Sequence, residues 1–325
     1  MNILLTSVGR RGYLVKYFKE AVGSSGRVWG ADNSPCSPAF AYCDGTAIVP
    51  EVKKDHYPQA LLDICQKNGI DIVIPLIDPE LEVLAGYRGT FAEAGVLLVV
   101  SPEATIHMAS DKYLTYTFAA AQGIAVPQTY IDLPKAVTRL DAGSLQWPVM
   151  VKPRKGSASI NITTCYDQLQ LAAAFEATRS PMIQEIVRGD EYGYDLFGDM
   201  DCHSISVYCK KKLAMRAGET DKAVSTDDPA LIAFGEKLLG CMQLVGPADV
   251  DVVVDAEGPK LLEINPRFGG GYPCSHLAGA NFPGKIIALR KGEPLTPDIG
   301  ACPAGVRMLK QDEIVCPDWD ITARP

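Results

Sequence analysis

The sequence predicts an α/β N-terminal domain with a doubly wound parallel sheet, followed by a mixed α+β half. Two observations carry this. The first hundred residues alternate short apolar strands with helices, the rhythm of a parallel sheet flanked by helices. After about residue 100 that rhythm breaks, and from residue 182 four strand segments come in succession, as in partly antiparallel sheets.

In chain order, residues 3–6 form a short buried strand and residues 12–22 a helix. Residues 27–31 are a second strand, stopped by Asp32-Asn33-Ser34-Pro35, and residues 45–50 a third. A helix over 57–67 is closed by Asn68-Gly69. Residues 71–75 are again strand, 80–94 helix and 96–100 strand, ended by Ser101-Pro102. In the second half, 111–122 is a helix, with Gly123 behind it and Pro127 beyond. Residues 147–152 are a strand and 166–178 a helix. Strand segments follow at 182–187, 191–197, 202–208 and 211–215. A helix over 229–242 and strands at 250–254 and 260–264 complete the pattern. There is no internal repeat and no low-complexity linker.

The 325 residues suit two domains or three small ones, and 47% hydrophobic with 22% charged residues suits a folded core. A net charge of -8 lacks the footprint of a nucleic-acid binder, so phosphate binding would need a local basic cluster. The ten cysteines are scattered with no C-x-x-C pair, and read as core thiols in a reducing cytosol. The four histidines lack zinc-ligand spacing. No apolar stretch approaches about 18 residues, and the basic Arg10-Arg11 follows the first apolar run instead of preceding it as in a signal peptide. A cytoplasmic protein without nucleic-acid or membrane partners is expected.

Four segments could carry chemistry. The first strand-to-helix turn, Ser7-Val8-Gly9-Arg10-Arg11-Gly12, is not a G-x-G-x-x-G fingerprint. It is either a tight turn with solvated arginines or a pocket for a carboxylate or phosphate. Lys152 runs into Gly156-Ser157-Ala158-Ser159, a loop whose backbone could close on phosphate oxygens, or an ordinary surface turn. Residues 182–191 present an apolar strand, a turn and the acidic Glu191. A purine could lie on that strand with its ribose on the carboxylate, though an ordinary connector reads the same way.

The strongest local signal is Leu261-Leu262-Glu263-Ile264-Asn265-Pro266-Arg267. Strand side chains alternate, so Glu263 and Asn265 share a face. If the hairpin with 250–254 is centred on Glu257, across a five-residue turn Asp255 to Pro259, Asp251 lies opposite Glu263. Asp249 shares that face and is the rival ligand. Three oxygen donors with room for water and phosphate suit Mg2+, the alternative being a strand that ends in a proline turn with ordinary salt bridges. Arg267 could hold a transferring phosphoryl group.

Taken together and in this order, these segments resemble the ATP-grasp superfamily over nearly the whole chain. The branch with the carbamoyl-phosphate synthetase large subunit and short stand-alone relatives is nearest. The resemblance implies a pre-ATP-grasp α/β domain at 1–104, an ATP-grasp subdomain A at 105–181 and a subdomain B with the metal site at 182–325. It implies that Lys112 of Ser110-Asp111-Lys112 and Lys152 of Val151-Lys152-Pro153 meet phosphate, under a lid that includes Gly156, Ser157 and Ser159. Glu185 and Val187 would hold adenine and Glu191 the ribose. Arg216 and Arg267 would contact the transferring phosphate, with Asp251, Glu263 and Asn265 on magnesium. The lid departs from the family pattern, with Ala158 and Asn161 where glycine is frequent, and Asp251 stands where relatives often carry Glu or Gln.

The implied activity is an ATP-dependent ligase using ATP and Mg2+. A carboxylate becomes an acyl phosphate with release of ADP, and an amine or related nucleophile displaces phosphate. Its partners would be a small carboxylate and an amine, with a homodimer left open. A kinase of carbamoyl-phosphate-synthetase type acting on bicarbonate or carbamate, and a non-catalytic ATP-binding module, are the alternatives.

Overall fold

The computed structural model describes residues 1–156, 161–319 and 321. Its N-terminal part holds β1 (Asn2–Thr6), α1 (Gly12–Val22), β2 (Arg27–Asp32), β3 (Gly45–Ile48), α2 (Tyr57–Asn68), β4 (Ile72–Pro75), α3 (Asp78–Leu84), α4 (Arg88–Glu93) and β5 (Leu97–Leu98). Among the described residues these strands form one five-stranded parallel sheet in the order β3-β2-β1-β4-β5. Both faces are covered, as the near-continuous apolar strands require. Ile3 and Leu5 face a core with Phe18, Phe268 and Phe282, while Leu4 faces the opposite core with Tyr57, Leu61 and Phe91.

The next part contains α5 (Glu103–Ala109), α6 (Lys112–Ala121), β6 (Thr129–Tyr130), α7 (Leu133–Asp141), β7 (Val149–Pro153), β8 (Thr163–Cys165), α8 (Gln168–Ala177) and β9 (Pro181–Glu185). Its four-stranded antiparallel sheet runs β6-β9-β7-β8. The remainder contains β10 (Asp190–Gly198), β11 (Ser204–Arg216), β12 (Glu219–Thr226), α9 (Pro229–Cys241), β13 (Gly246–Asp255), β14 (Gly258–Asn265), α10 (Tyr272–Leu277), α11 (Phe282–Lys291) and β15 (Arg307–Leu309). Its six-stranded antiparallel sheet runs β14-β13-β10-β11-β12-β15.

Several expectations change in detail. The helix expected over 80–94 is two, α3 and α4, joined by a 3-10 turn at Ala85–Tyr87. The strands expected at 202–208 and 211–215 are one strand, β11, with irregularities after Lys212 and Ala214. It turns back through Ala217-Gly218, both at positive φ, into β12, which the sequence reading missed. The boundary expected after residue 181 cuts β9, which pairs with β6 and β7 in the four-stranded sheet.

The N-terminal and six-stranded sheets share a core. Phe197 and Ile205 of the six-stranded sheet join Phe18 and Ile74 of the N-terminal part, with Phe268, Tyr272, Phe282 and Ile286 between. That shared core places the carboxyl ends of β1 and β4 against the loop after β14, and such strand ends are where open α/β sheets bind ligands. No described helix is long and apolar enough to cross a membrane.

Candidate active site

The site is built on the face of the six-stranded sheet that turns toward α3 and α6. Directly opposed residues share a face. One row runs Asn265, Asp249, Asp195, Tyr208 across β14, β13, β10 and β11, and the next runs Glu263, Asp251, Gly193, Lys210. Asp251 therefore faces Glu263 as the sequence reading required, by a different route. The β13–β14 turn has two residues, Ala256-Glu257, between the paired Asp255 and Gly258. An irregularity between Asp251 and Val252 leaves Leu262 unpaired and restores the register. Asp249, the rival, lies opposite Asn265.

Each carboxylate of these two rows meets a cation. Glu263 Oε1 lies 3.1 Å from Lys112 Nζ. Asp251 pairs with Lys212, whose side chain is buried. Asp249 lies 3.2 Å from Arg267, which also reaches Asp78 at 3.1 Å. Beneath them the buried Lys210 meets Asp195 at 2.5 Å. Gly193 leaves room for the two lysines. A Cβ there would stand 3.2 Å from Lys212 Cε and 3.4 Å from Lys210 Cε, so the bare backbone lets both lysines lie across β10.

Burial pushes the Asp251 carboxyl up to about 6; Lys212 opposes this and Asp249 adds to it. Burial also lowers the Lys152 ammonium to about 8, with Lys112 adding repulsion. Lys152 Nζ is held 2.7 Å from Gln184 Oε1 inside the four-stranded sheet. Lys112 is set by the capping of α6. Asp111 accepts from the Tyr113 and Leu114 amides and is clasped by Arg154 at 2.6 Å, so Lys112 leaves the first helical position pointing at Glu263 and the Gly156 carbonyl.

Asp78, Lys112, Gly156, Glu263 and Asn265 line one cleft. At the end of β9, Glu185 is tied to Gln128 through its own N–H and through its carboxylate, at 2.9 and 3.0 Å. Among the described residues the Ile186 and Val187 amides make no backbone hydrogen bond, leaving two donors open where β9 ends. Glu191 is exposed at the start of β10, and its charge acts on Lys212.

Arg216 is not brought into the cleft. It lies beyond the irregularities of β11, half exposed, and pairs with Asp221 and Asp312. Ser157 and Ser159 of the expected lid lie outside the described residues. Sequence reasoning missed Lys212, Lys210 and the contact between Asp78 and Arg267. Alternation within Lys210-Lys211-Lys212 opposite an interior strand glycine was the available signal for the two lysines. Asp78 carried none for its pairing with Arg267.

The donor set is hard oxygen: two carboxylates and an amide, with Asp251 held near 6 among like charges. Among the described residues no three His, Cys, Asp or Glu side chains group closely enough to hold a metal by themselves. The set fits Mg2+ where phosphate oxygens and water complete the shell, as Mg2+ commonly binds.

Comparison with known proteins identifies the family. Residues 3–99 match a PylC-like N-terminal domain. A D-alanine–D-lactate ligase assigned as putative in Streptomyces coelicolor is 27% identical over 134 residues, 40% of this chain and 38% of that protein. A D-alanine–D-alanine ligase of Corynebacterium diphtheriae is 24% identical over 242 residues, 71% of this chain and 63% of that one. The chain thus spans less than two thirds of the length of these curated relatives. The fold of a biotin carboxylase from Campylobacter jejuni superposes on 94% of this chain and 74% of that one, with a TM-score of 0.74 at 14% identity. Residues 109–271 match the ATP-grasp domain, and since that span covers half of the chain, the protein belongs to the ATP-grasp family.

Proposed function

We propose that the protein is an ATP-dependent carboxylate–amine ligase. ATP-grasp enzymes use ATP, and the relatives named above as ligases join small molecules, which supports the class. The observation that carries the reading is the register of β13 and β14. It sets Asp251 against Glu263 and Asp249 against Asn265, beside Lys112 and Arg267.

In this reading the open amides of Ile186 and Val187 meet the adenine edge, beside Glu185, and Glu191 takes the ribose. Lys112 and Lys152 bind phosphate oxygens, and Gly156 begins a lid that continues through Ser157 and Ser159. Asp251, Glu263 and Asn265 would hold Mg2+, which when bound neutralises phosphate charge. Arg267, fixed by Asp78 and Asp249, and Lys212, carried over Gly193, orient the attacking carboxylate and the γ-phosphoryl group. Lys212 takes the role that the resemblance gave to Arg216. The chemistry is positioning and charge stabilisation, and the acyl phosphate must be kept from water until the amine displaces phosphate. The units are residues 1–104, 105–188 and 189–325, the second boundary set so that β9 stays with its own sheet.

The test is ADP release screened against amino acids, dipeptides and sugar acids, each paired with amines. Acid- and amine-dependent ADP release with a C–N bonded product is expected. Carbamoyl phosphate accumulating from bicarbonate and ammonia would replace this reading with the kinase one. Bound ATP that no acid and amine turn over would leave only a nucleotide-binding module.

A further inference from the structure

The loop after Arg267 is Phe268-Gly269-Gly270-Gly271, and each glycine allows a charged side chain to approach. A Cβ on Gly269 would overlap the Asp249 carboxylate at 2.2 Å. One on Gly270 would crowd Glu219 at 3.0 Å, and one on Gly271 would meet Lys210 at 2.5 Å. The loop thus runs from the Asp249–Arg267 end of the cleft to Glu219 in a single residue step, about 3.8 Å between neighbouring Cα atoms.

Around Glu219 lies a second group of charges, drawn from three distant parts of the chain. Lys310, just past β15, holds Glu219 at 3.2 Å and stands 5.7 Å above the Tyr13 ring. Burial acts to raise the Glu219 carboxyl, but Lys310, then Arg11 and Arg10, outweigh it and hold it low. Tyr13 is within the electrostatic reach of Arg11, Glu219 and Arg267, and burial keeps its hydroxyl protonated. Arg10, Arg11 and Lys310 act on Glu219, and Asp312 lies within reach of Arg10.

The unmatched atoms have one character. Among the described residues, Arg11 Nε, Tyr13 Oη and Arg267 Nε are buried and without a hydrogen-bond partner. All three can donate, and two can only donate. Buried donors lacking acceptors are costly, so a ligand that fits here brings acceptor oxygens and negative charge. The position lies one loop step from where the proposed function puts the carboxylate to be activated.

We infer that this is a subsite for a second acidic group of the substrate, so that the acid the protein activates is a short dicarboxylate. One carboxylate lies at Arg267 and Lys212, and the other is received by Arg11, Tyr13 and Lys310, with Glu219 setting the distance between the cations. The inference rests on the ligase reading for which end reacts, but the subsite itself does not depend on turnover.

The experiment measures binding without ATP. Succinate, glutarate, aspartate and glutamate are each compared with their half-amides by thermal shift and calorimetry on the full chain. ADP release is measured in parallel with an amine panel. At least one dicarboxylate should bind ten-fold or more tightly than its half-amide. Arg11→Gln and Lys310→Met should each reduce that preference to threefold or less, and Tyr13→Phe should weaken it, while thermal stabilisation by MgATP stays as in the unaltered protein. That stabilisation also shows that each variant is folded. Equal binding of every acid and its half-amide, no binding by any dicarboxylate, or a preference that survives both charge substitutions overturns the subsite. Dicarboxylate binding with no ADP release under any amine refutes the ligase reading and leaves the subsite standing. ADP release with monocarboxylates at no disadvantage does the reverse.

Discussion

Glu263→Gln separates fold from chemistry most cleanly. The side chain keeps its shape and loses one negative charge. Glu263 pairs with Lys112, and the two side chains are 24% and 14% exposed. A pair of this partly exposed kind contributes about 0.2–1 kcal/mol. Lys112 also donates to the Gly156 carbonyl, so it is not left without a partner. At the scale for chains of this size, the melting temperature should fall by less than about 4 °C. The effect on the metal is far larger. Substituting groups that only support a metal ligand costs 10–100-fold in affinity or activity. Removing an anionic ligand itself should therefore cost at least about 100-fold, about 2.8 kcal/mol at 1.4 kcal/mol per decade. Calorimetric titration of ATP at fixed Mg2+, repeated across Mg2+ concentrations, reads this without an acceptor. ADP release under the same titration reads turnover, which should drop by orders of magnitude at ordinary Mg2+. Adenosine binding should not change. Near-normal ADP release and an unshifted Mg2+ dependence in the Glu263→Gln protein would remove the metal from this face and the ligase reading with it.

Three further outcomes follow from the same geometry. Asp251→Asn should shift the Mg2+ dependence in the same direction as Glu263→Gln but less, while Asp249→Asn, which acts on Arg267, should leave it in place and change acid kinetics instead; the Mg2+ titration distinguishes them. Lys152→Met should weaken ATP and spare adenosine in competition binding. Because Lys152 is charged only below about 8, ATP affinity of the unaltered protein should fall as pH rises through that value, and the Lys152→Met protein should lose this dependence. Lys210→Met strands Asp195, which is 2% exposed, and should cost about 3–5 kcal/mol in urea unfolding, with Asp195→Leu added to it recovering most of the loss; additive losses in the double variant would show that the pair is not coupled.

Much of this arrangement was legible along the chain because its causes are local. Ile3, Leu4 and Leu5 read as a strand buried on both faces, and they face two different cores. The two-residue strand period alone put Glu263 and Asn265 on one face, and a hairpin between neighbouring strands has few registers, so Asp251 could be set opposite Glu263. Even there the turn was misjudged: an unpaired Leu262 compensates for a two-residue turn, and period alone does not reveal such a residue.

What lay out of reach depends on distant segments meeting. Arg267 is oriented by Asp78, 189 residues away, through a core that the N-terminal and six-stranded sheets share. Lys212 rather than Arg216 reaches the carboxylates because β11 is irregular beyond Lys212 and because Gly193 on the neighbouring strand leaves room. β9 belongs to the four-stranded sheet by pairing with β6 and β7, which its own apolar pattern does not specify. Arg11 already stood out in the first strand-to-helix turn, but Tyr13, Glu219 and Lys310, from a helix, a hairpin and the last strand region, are not notable beside their sequence neighbours, and nothing along the chain brings the four together. The sequence by itself determined most of the longer strands and helices, the family and the shared face of Glu263 and Asn265, because periodicity and short hairpins act over a few residues. Only the tertiary structure decided which cation meets which carboxylate, because an ion pair depends on distance in space, and packing of the shared core sets that distance.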